Sequence, residues 1–498
     1  MANKRKGKLE LDWVDKGDII LTKFDENGKT YPASYFQGQV SDEELMPREL
    51  ELIETVGDPD SENMLIWGEN LVALRSLERQ FASEIKLIYI DPPFNTGQDF
   101  EDYEDGLEHS IWLSMMENRL RLAQKLLTPD GAILVHIDDE NSTYLRLLLD
   151  EVFGPTNFRN SIITKRIKKS IQEREKVKTL NTGHDFIFFY SNKPDAVFVH
   201  PKIEMKKSDR WHAFDAPGIR KGMDYELFGW RPPKNRHWLF SKERADGLIK
   251  EEKLRPHPKT GRPQYLIAAS DESLVDTIWT DISSYAFRWD FQTEKSEELL
   301  ERIIEMTTDR DDWVLDFFAG SGTTGAAVHK MGRRWIMIEV KKDTTFEKAS
   351  ERMKSVVNGD PTGISKEVNW KGGGGFKFYK LGEPLIVKHK DYPSIKIINP
   401  KYYNTALIKV ICNLEGFKFR KDDKVSHGVN KLGNKYAHVT EQYVSQGYID
   451  LLKSKLADNE EMIVYCFGYD EKITLPFNMI IKKLPRDIGK PYQARFRV

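Results

Sequence analysis

Short apolar runs alternate along the first part of the chain with stretches whose apolar positions recur every three or four residues. Met64-Leu65-Ile66-Trp67 stops at Gly68-Glu69-Asn70 and is followed by Leu71, Leu74, Leu77 and Phe81 at helical spacing. Ile85 to Ile90 is a second run, closed by Asp91-Pro92-Pro93-Phe94, and Trp112 to Leu127 carries a second helical pattern that stops at Pro129-Asp130-Gly131. Ala132 to Ile137 closes on Asp138-Asp139-Glu140-Asn141, with a helix predicted over Tyr144 to Phe153. Strand and helix alternating at this spacing predict a parallel sheet covered by helices, with Phe186 to Tyr190 as a candidate outer strand. The same alternation returns later. Ser296 to Met306 is helical, Trp313 to Phe317 and Trp335 to Ile338 are strands, and a small-residue helix starts after Gly322.

Composition narrows the class. At 498 residues the chain is too long for one ordinary core, and two to four domains are expected. Hydrophobic residues at 39% and charged ones at 31% describe a globular protein rather than a disordered or membrane-embedded one. No apolar run is long enough to span a bilayer, and the basic start has no apolar stretch behind it, so a cytoplasmic protein is expected. Two cysteines, Cys412 and Cys466, exclude a disulfide framework or a Cys-rich zinc site, and the 11 histidines show no ligand spacing, so no metal is expected.

The net charge of -2 hides an asymmetry. Arg159 to Arg262 holds 25 Lys and Arg against 13 Asp and Glu, which points to a polyanion meeting the middle of the chain. That middle contains the run KRIKKSIQEREKVK from Lys165 to Lys178, with Lys165, Arg166, Lys168 and Lys169 at its head. It also mixes rings with cations at Trp230-Arg231-Pro232-Pro233-Lys234 and Arg236-His237-Trp238. A charge run is often only a solvated helix face, but cations among aromatic rings are what phosphates and bases require.

Two places carry candidate chemistry. Asp91 is a carboxylate delivered to the end of a strand, held by a stiff Pro-Pro turn and followed by the ring of Phe94; in open α/β sheets that edge is where ligands bind. Far downstream, Asp316-Phe317-Phe318-Ala319-Gly320-Ser321-Gly322 joins a strand to a helix, where glycines allow close approach to a ligand and the helix start offers free N–H groups. Glu339 closes the next strand 17 residues after Gly322, where an acid can hold two ribose hydroxyls. The third glycine of a dinucleotide fingerprint is missing, so a nucleoside cofactor without a pyrophosphate fits better than NAD.

With DPPF at Asp91 to Phe94 and FxGxG at Phe318 to Gly322, the chain resembles β-group DNA amino-methyltransferases, in which the catalytic motif precedes the cofactor motif. IYIDPPFNTG, FGWRPPKNRHW and LDFFAGSGTT, among other segments, resemble more narrowly the modification subunits of type III restriction–modification systems, over about residues 60 to 382. The resemblance implies S-adenosylmethionine as cofactor and the N6 amine of a flipped adenine in duplex DNA as target, with cytosine N4 as the alternative. It assigns Asp91, Pro92, Pro93 and Phe94 to catalysis and Asp316, Phe318, Gly320, Gly322, Glu339, Glu69 and Thr293 to the cofactor. Lys165, Arg166, Lys168, Lys169, Arg231, Lys234 and Arg236 are expected on DNA. Glu69 reads equally well as a carboxylate at a helix N-terminus. Phe94 stands where the family usually has Tyr, and Ser296 where the family's T-x-K-P motif has Pro. The implied partners are double-stranded DNA, a second copy in a homodimer and an ATP-dependent restriction subunit; the rival is a solitary methyltransferase or a subunit used mainly for DNA recognition.

The expected fold is a permuted, seven-stranded, Rossmann-like α/β methyltransferase sheet. Its parts are an N-terminal extension (1–60), a catalytic half (61–160), a target-recognition region (161–285, with about 185–192 as an outer strand of the core sheet), a cofactor half (286–371) and, after the linker Gly372 to Gly375, a C-terminal α/β or α+β domain (376–498).

Overall fold

The computed structural model describes residues 11–26, 28–94, 98–99, 104–105, 108–166, 180, 182–286, 288–289, 293–421 and 423–488. The chain forms two compact units, one made of residues 1–199 and 277–498, the other of His200–Asp276.

The larger unit is built on a ten-stranded sheet. Its order is Ile278–Trp279, Phe158–Lys165, His184–Ser191, Leu127–Ile137, Ile85–Ile90, Trp313–Asp316, Arg334–Glu339, Met64–Trp67, Gly375–Pro384 and Arg48–Gly57. From Leu127–Ile137 to Gly375–Pro384 neighbouring strands run parallel. Such strands are buried on both faces and need near-continuous apolar sequence. That holds here: Leu87, Ile88, Ile90, Val314, Leu315 and Ile336 are all 1% exposed or less. Parallel pairing also sends Asp91, Asp316, Glu339 and Glu69 to the same edge of the sheet.

Helix starts follow from side-chain caps. Glu69 accepts from Val72 N at 2.9 Å, Asp138 from Asn141 N at 3.3 Å and Ser296 from Leu299 N at 3.2 Å. Ser296 therefore starts its helix as a cap, a different device from the proline the family motif carries there.

Several elements differ from expectation. His184–Ser191 is an interior strand, flanked on both sides by antiparallel neighbours, because Phe158–Lys165 adds beyond it. That added strand, FRNSIITK, has too mixed a pattern to read in advance. The glycine run at 372–375 leads straight into the strand Gly375–Pro384 rather than into a separate domain. Arg48–Gly57, within the expected N-terminal extension, pairs with that strand. The sheet exceeds seven strands for these reasons. Pro129-Asp130-Gly131 does not make a loop; the helix His109–Leu126 passes directly into the strand Leu127–Ile137.

The compact inserted unit, 200–276, lies within the expected recognition region and has its own small core of Phe214, Leu227, Trp238, Ala245, Leu248 and Leu254. In the C-terminal part a five-stranded sheet runs Lys418–Phe419, Gly428–Val429, Lys435–Thr440, Glu461–Cys466 and Met479–Lys483, its last three strands parallel. Among the described residues no helix is long and apolar enough to cross a membrane.

One glycine is dictated by packing. A Cβ on Gly375 would sit 2.4 Å from Asp58 N and 2.5 Å from Val56 O, both backbone atoms that cannot step aside. Gly375→Ala is expected to lower unfolding stability by about 2 kcal/mol or more, the scale of a forced overpacking; a urea melt that matches the wild-type midpoint would show the strand has slack there.

Candidate active site

The two sequence motifs meet in one cavity. It is lined by Asp91, Pro92, Pro93 and Phe94 from one strand end, by Asp316 to Ser321 from the neighbouring strand end, by Glu339 from the next, and by Thr293 and Lys295. Motifs more than two hundred residues apart in sequence are therefore neighbours because their strands pair.

The Pro-Pro turn is anchored from outside: Trp112 Nε1 donates to Pro93 O at 2.9 Å and Asn141 Nδ2 to Phe94 O at 2.6 Å. Asp91 Oδ2 accepts from Lys295 Nζ, whereas Asp91 Oδ1 is buried with no hydrogen-bond partner among the described residues. A buried carboxylate oxygen without a donor is costly unless a ligand supplies one.

The glycine loop is tied to the strands beside it. Asp316 Oδ1 accepts from Phe318 N at 2.9 Å and Oδ2 from Thr324 Oγ1 at 2.6 Å. Gly320 and Gly322 have positive φ, 50° and 81°, which lets the chain turn tightly into the helix Thr323–Lys330. Glu339, half-buried, accepts from Gly320 N at 2.9 Å and Lys341 N at 3.0 Å. With about four acceptor sites on a carboxylate, room remains for a further donor. Burial pushes Glu339 up, against the pull of these N–H groups. Burial also pushes Asp316 up to about 7, although Thr324 and the Phe318 N–H pull the other way.

Beneath the loop lies a charged layer. Arg352 donates to Glu294, Thr323 and Glu297 at 3.0, 2.9 and 2.9 Å, and Lys330 to Glu297 and Asp360 at 2.8 and 2.9 Å.

Other expected residues are placed differently. Glu69 uses one oxygen on its helix cap and the other on Arg119, so a cap and an ion pair occupy both; the adjacent Asn70 lines the cavity. Arg236 is committed to Asp215, through its side chain and the 2.9 Å bond from Nη2 to the carbonyl. Arg231 and Lys234 are exposed, as is Lys165, and Arg166 lies 3.6 Å from the buried Asp185. Lys168 and Lys169 lie outside the described residues. Sequence patterns gave no sign of four cavity residues from the N-terminal hairpin, Thr22, Thr30, Tyr31 and Pro32, because a hairpin's function depends on what it lands on.

A model of the DNA methylase family (N6_N4_Mtase) matches residues 85–345, over half of the chain and including both motifs. The chain belongs to this family. Among relatives, it is 31% identical over 407 residues to the probable type III restriction-modification enzyme HindVI Mod subunit of Haemophilus influenzae, covering 64% of this chain and 54% of that one. It is 30% identical over 304 residues to the type II methyltransferase M.EcaI of Enterobacter cloacae, covering 56% and 66%. The chain thus spans about half the length of the first relative. Among solved structures, PvuII DNA methyltransferase (cytosine-N4-specific) is 16% identical, with a TM-score of 0.37, over 62% of this chain and 91% of that one.

Two tests follow from this geometry. Arg119, with no exposed surface, also donates to Asn70, Ile20 O and Met115 O. Arg119→Met leaves Glu69 without its charge partner and is expected to cost about 3–5 kcal/mol in chemical denaturation; a loss below 1 kcal/mol would remove Arg119 from its structural role. For Asp316 the folded pKa of about 7 lies above the ordinary 3.8. The folded state therefore binds the proton more tightly, and the associated stability is fully present below about pH 4 and lost as pH rises through 7. Its scale is on the order of 4 kcal/mol. Asp316→Asn should flatten the fall in stability between pH 4 and 8; an unchanged slope would assign it to other groups.

Proposed function

We propose that the chain transfers a methyl group from S-adenosylmethionine to the N6 amine of adenine in a specific duplex DNA sequence, as the modification and recognition subunit of a type III restriction–modification system. The observation that carries this reading is the single cavity lined by both DPPF and the glycine loop. The sheet supports it too, since the strand that ends in DPPF pairs in parallel with the strand that ends in the glycine loop and precedes it in the chain. Family membership and the relatives' names, a DNA methylase and a Mod subunit of a type III restriction-modification enzyme, support the same assignment. The reading includes double-stranded DNA, a second copy in a homodimer and an ATP-dependent restriction subunit as partners.

The cavity's donor set fits S-adenosylmethionine. Two carboxyls, Asp316 and Glu339, flank the glycine loop; they would repel a phosphate and suit an ammonium and ribose hydroxyls. The Phe318 and Gly320 backbone brings the loop close, Gly322 turns it into the helix, and Thr293 adds a hydroxyl. When bound, the cofactor supplies an electrophilic methyl on a sulfonium.

The chain's own residues act on the amine. Adenine's exocyclic nitrogen is a weak nucleophile because its lone pair is delocalised into the ring. Asp91 Oδ1, the buried oxygen without a partner, accepts one amino hydrogen and the Pro92 carbonyl the other, drawing the nitrogen toward a tetrahedral shape. The same oxygen can take the proton that the amine must shed. The amine is inside the duplex, so the base has to be extruded, and the Phe94 ring gives it a surface to stack on. Phe in place of Tyr keeps that surface. The inserted unit supplies recognition: its exposed Arg231 and Lys234, with Arg255 stacked 3.8 Å over Trp211, offer cations and rings to the duplex. In the larger unit Lys165 and Arg166 are further cations for phosphates.

Single-molecule sequencing of DNA from cells expressing the protein should show N6-methyladenine at one recurrent sequence. Asp91→Ala is expected to abolish that mark while DNA and cofactor binding persist, and Glu339→Ala to weaken cofactor binding about tenfold, the loss of one or two hydrogen bonds. Full methylation by Asp91→Ala would overturn the catalytic assignment.

A further inference from the structure

Behind the catalytic turn runs a buried polar chain that the methyl-transfer chemistry leaves unused. Lys295, whose side chain is 5% exposed, donates to Asp91 Oδ2, and its ammonium lies 4.7 Å from the centre of the Tyr285 ring and 5.2 Å from that of Phe94. The Tyr285 hydroxyl donates to Asp185 Oδ2 at 2.6 Å. His136 Nε2 stands 3.6 Å from the same oxygen, and its Nδ1 is 3.1 Å from the Tyr89 hydroxyl. The His136 ring lies within 23° of parallel to Phe94, with centres 6.0 Å apart.

Asp185 and His136 have no exposed surface. Burial pushes Asp185 up, but His136 and Tyr285 outweigh it and hold the carboxyl down at about 2. An ionised group in the middle of a sheet is expensive, and a valine would serve the strand His184–Ser191 as well, so stability alone does not explain it. The arrangement ends instead on the two groups that handle the substrate. One end, through Tyr285 and Lys295, reaches Asp91; the other, through His136, backs Phe94.

We propose that Lys295, Tyr285, Asp185 and His136 form a positioning device that holds the Asp91 carboxylate and the Phe94 ring in one fixed relation, so that Asp91 Oδ1 faces the target amine. The inference rests on the methyl-transfer reading above. Lys295 occupies one carboxylate oxygen and leaves the other, so the carboxylate cannot rotate away from the amine. The rings of Tyr285 and Phe94 hold the ammonium by cation–π attraction without competing for Asp91. Tyr285 is oriented in turn by Asp185. A carboxylate fixed to within a few tenths of an ångström is what an in-line attack demands.

The test measures tritiated methyl incorporation into unmethylated duplex DNA, with S-adenosylhomocysteine binding followed by calorimetry. Lys295→Ala should lower kcat about 100-fold, with KM and the S-adenosylhomocysteine Kd within about threefold. n-Propylammonium should restore at least about tenfold of the loss and n-propanol none, since the missing element is a charge at a point. Tyr285→Phe should lower kcat about tenfold, and Asp185→Asn in that background should add less than about twofold, because the two act through one bond. The device is overturned if folded Lys295→Ala keeps wild-type kcat, if propylammonium fails to rescue it, or if the Tyr285 and Asp185 losses multiply. Should Lys295→Ala not fold, Tyr285→Phe decides: an unchanged kcat overturns the proposal, and a fall in kcat at constant KM supports it. Wild-type protein that binds S-adenosylhomocysteine and DNA but transfers no methyl overturns the underlying reading, a failure that the wild-type control separates from failure of the device alone.

Discussion

The parallel pairing of Ile85–Ile90 with Trp313–Asp316 is the constraint on which the rest depends. Neither strand is long, and each is buried on both faces, so a slip in register would move apolar side chains and end groups together. With the register fixed, the carboxylate after one strand and the carboxyl at the end of the other open onto the same space. What lies between them in sequence either adds strands on the far side of Ile85–Ile90 or leaves the sheet and returns, in each case without disturbing that pair. The inserted unit, compact and with its own core, meets that demand.

Around the pair the protein keeps charge close to apolar packing. The layer of Arg352, Lys330, Glu294, Glu297 and Asp360 beneath the glycine loop is cross-linked by hydrogen bonds, so the loop rests on a polar floor rather than on adaptable aliphatic side chains. Ser296 belongs to the same logic. Its hydroxyl starts the helix that carries Glu297 into that layer, directly after Lys295 has turned toward Asp91.

The motif-bearing strands were legible because burial on both faces leaves a continuous apolar run ending in an acid, and Met64–Trp67 and Ile85–Ile90 have the expected bounds. Asp91, Asp316, Glu339 and the glycines could be singled out because their roles follow from position at a strand end. Long-range partnerships were not legible. Nothing near Asp185, His136 or Tyr285 marks them in sequence, since they meet only when two strands and a loop come together. Arg48–Gly57, at one edge, and Phe158–Lys165, next to the other, escaped for another reason: their polar residues blur the alternation. Glu69 shows the ambiguity a strand end can carry, since a cap and a ligand look alike until the partner, Arg119, is seen.

Arg119 links three parts of the chain at one guanidinium. It holds the carbonyl of Ile20 in the N-terminal hairpin and the side chain of Asn70, whose own amide reaches Phe317 O at the start of the glycine loop. The hairpin is thereby wired to the loop through two side chains, although the two are almost three hundred residues apart. Sequence drift in the first sixty residues is accordingly not free: a change that shifts the Ile20 carbonyl is transmitted to the backbone that the cofactor would touch. The segment that looks most like a dispensable leader thus behaves, mechanically, as part of the floor plan of the pocket.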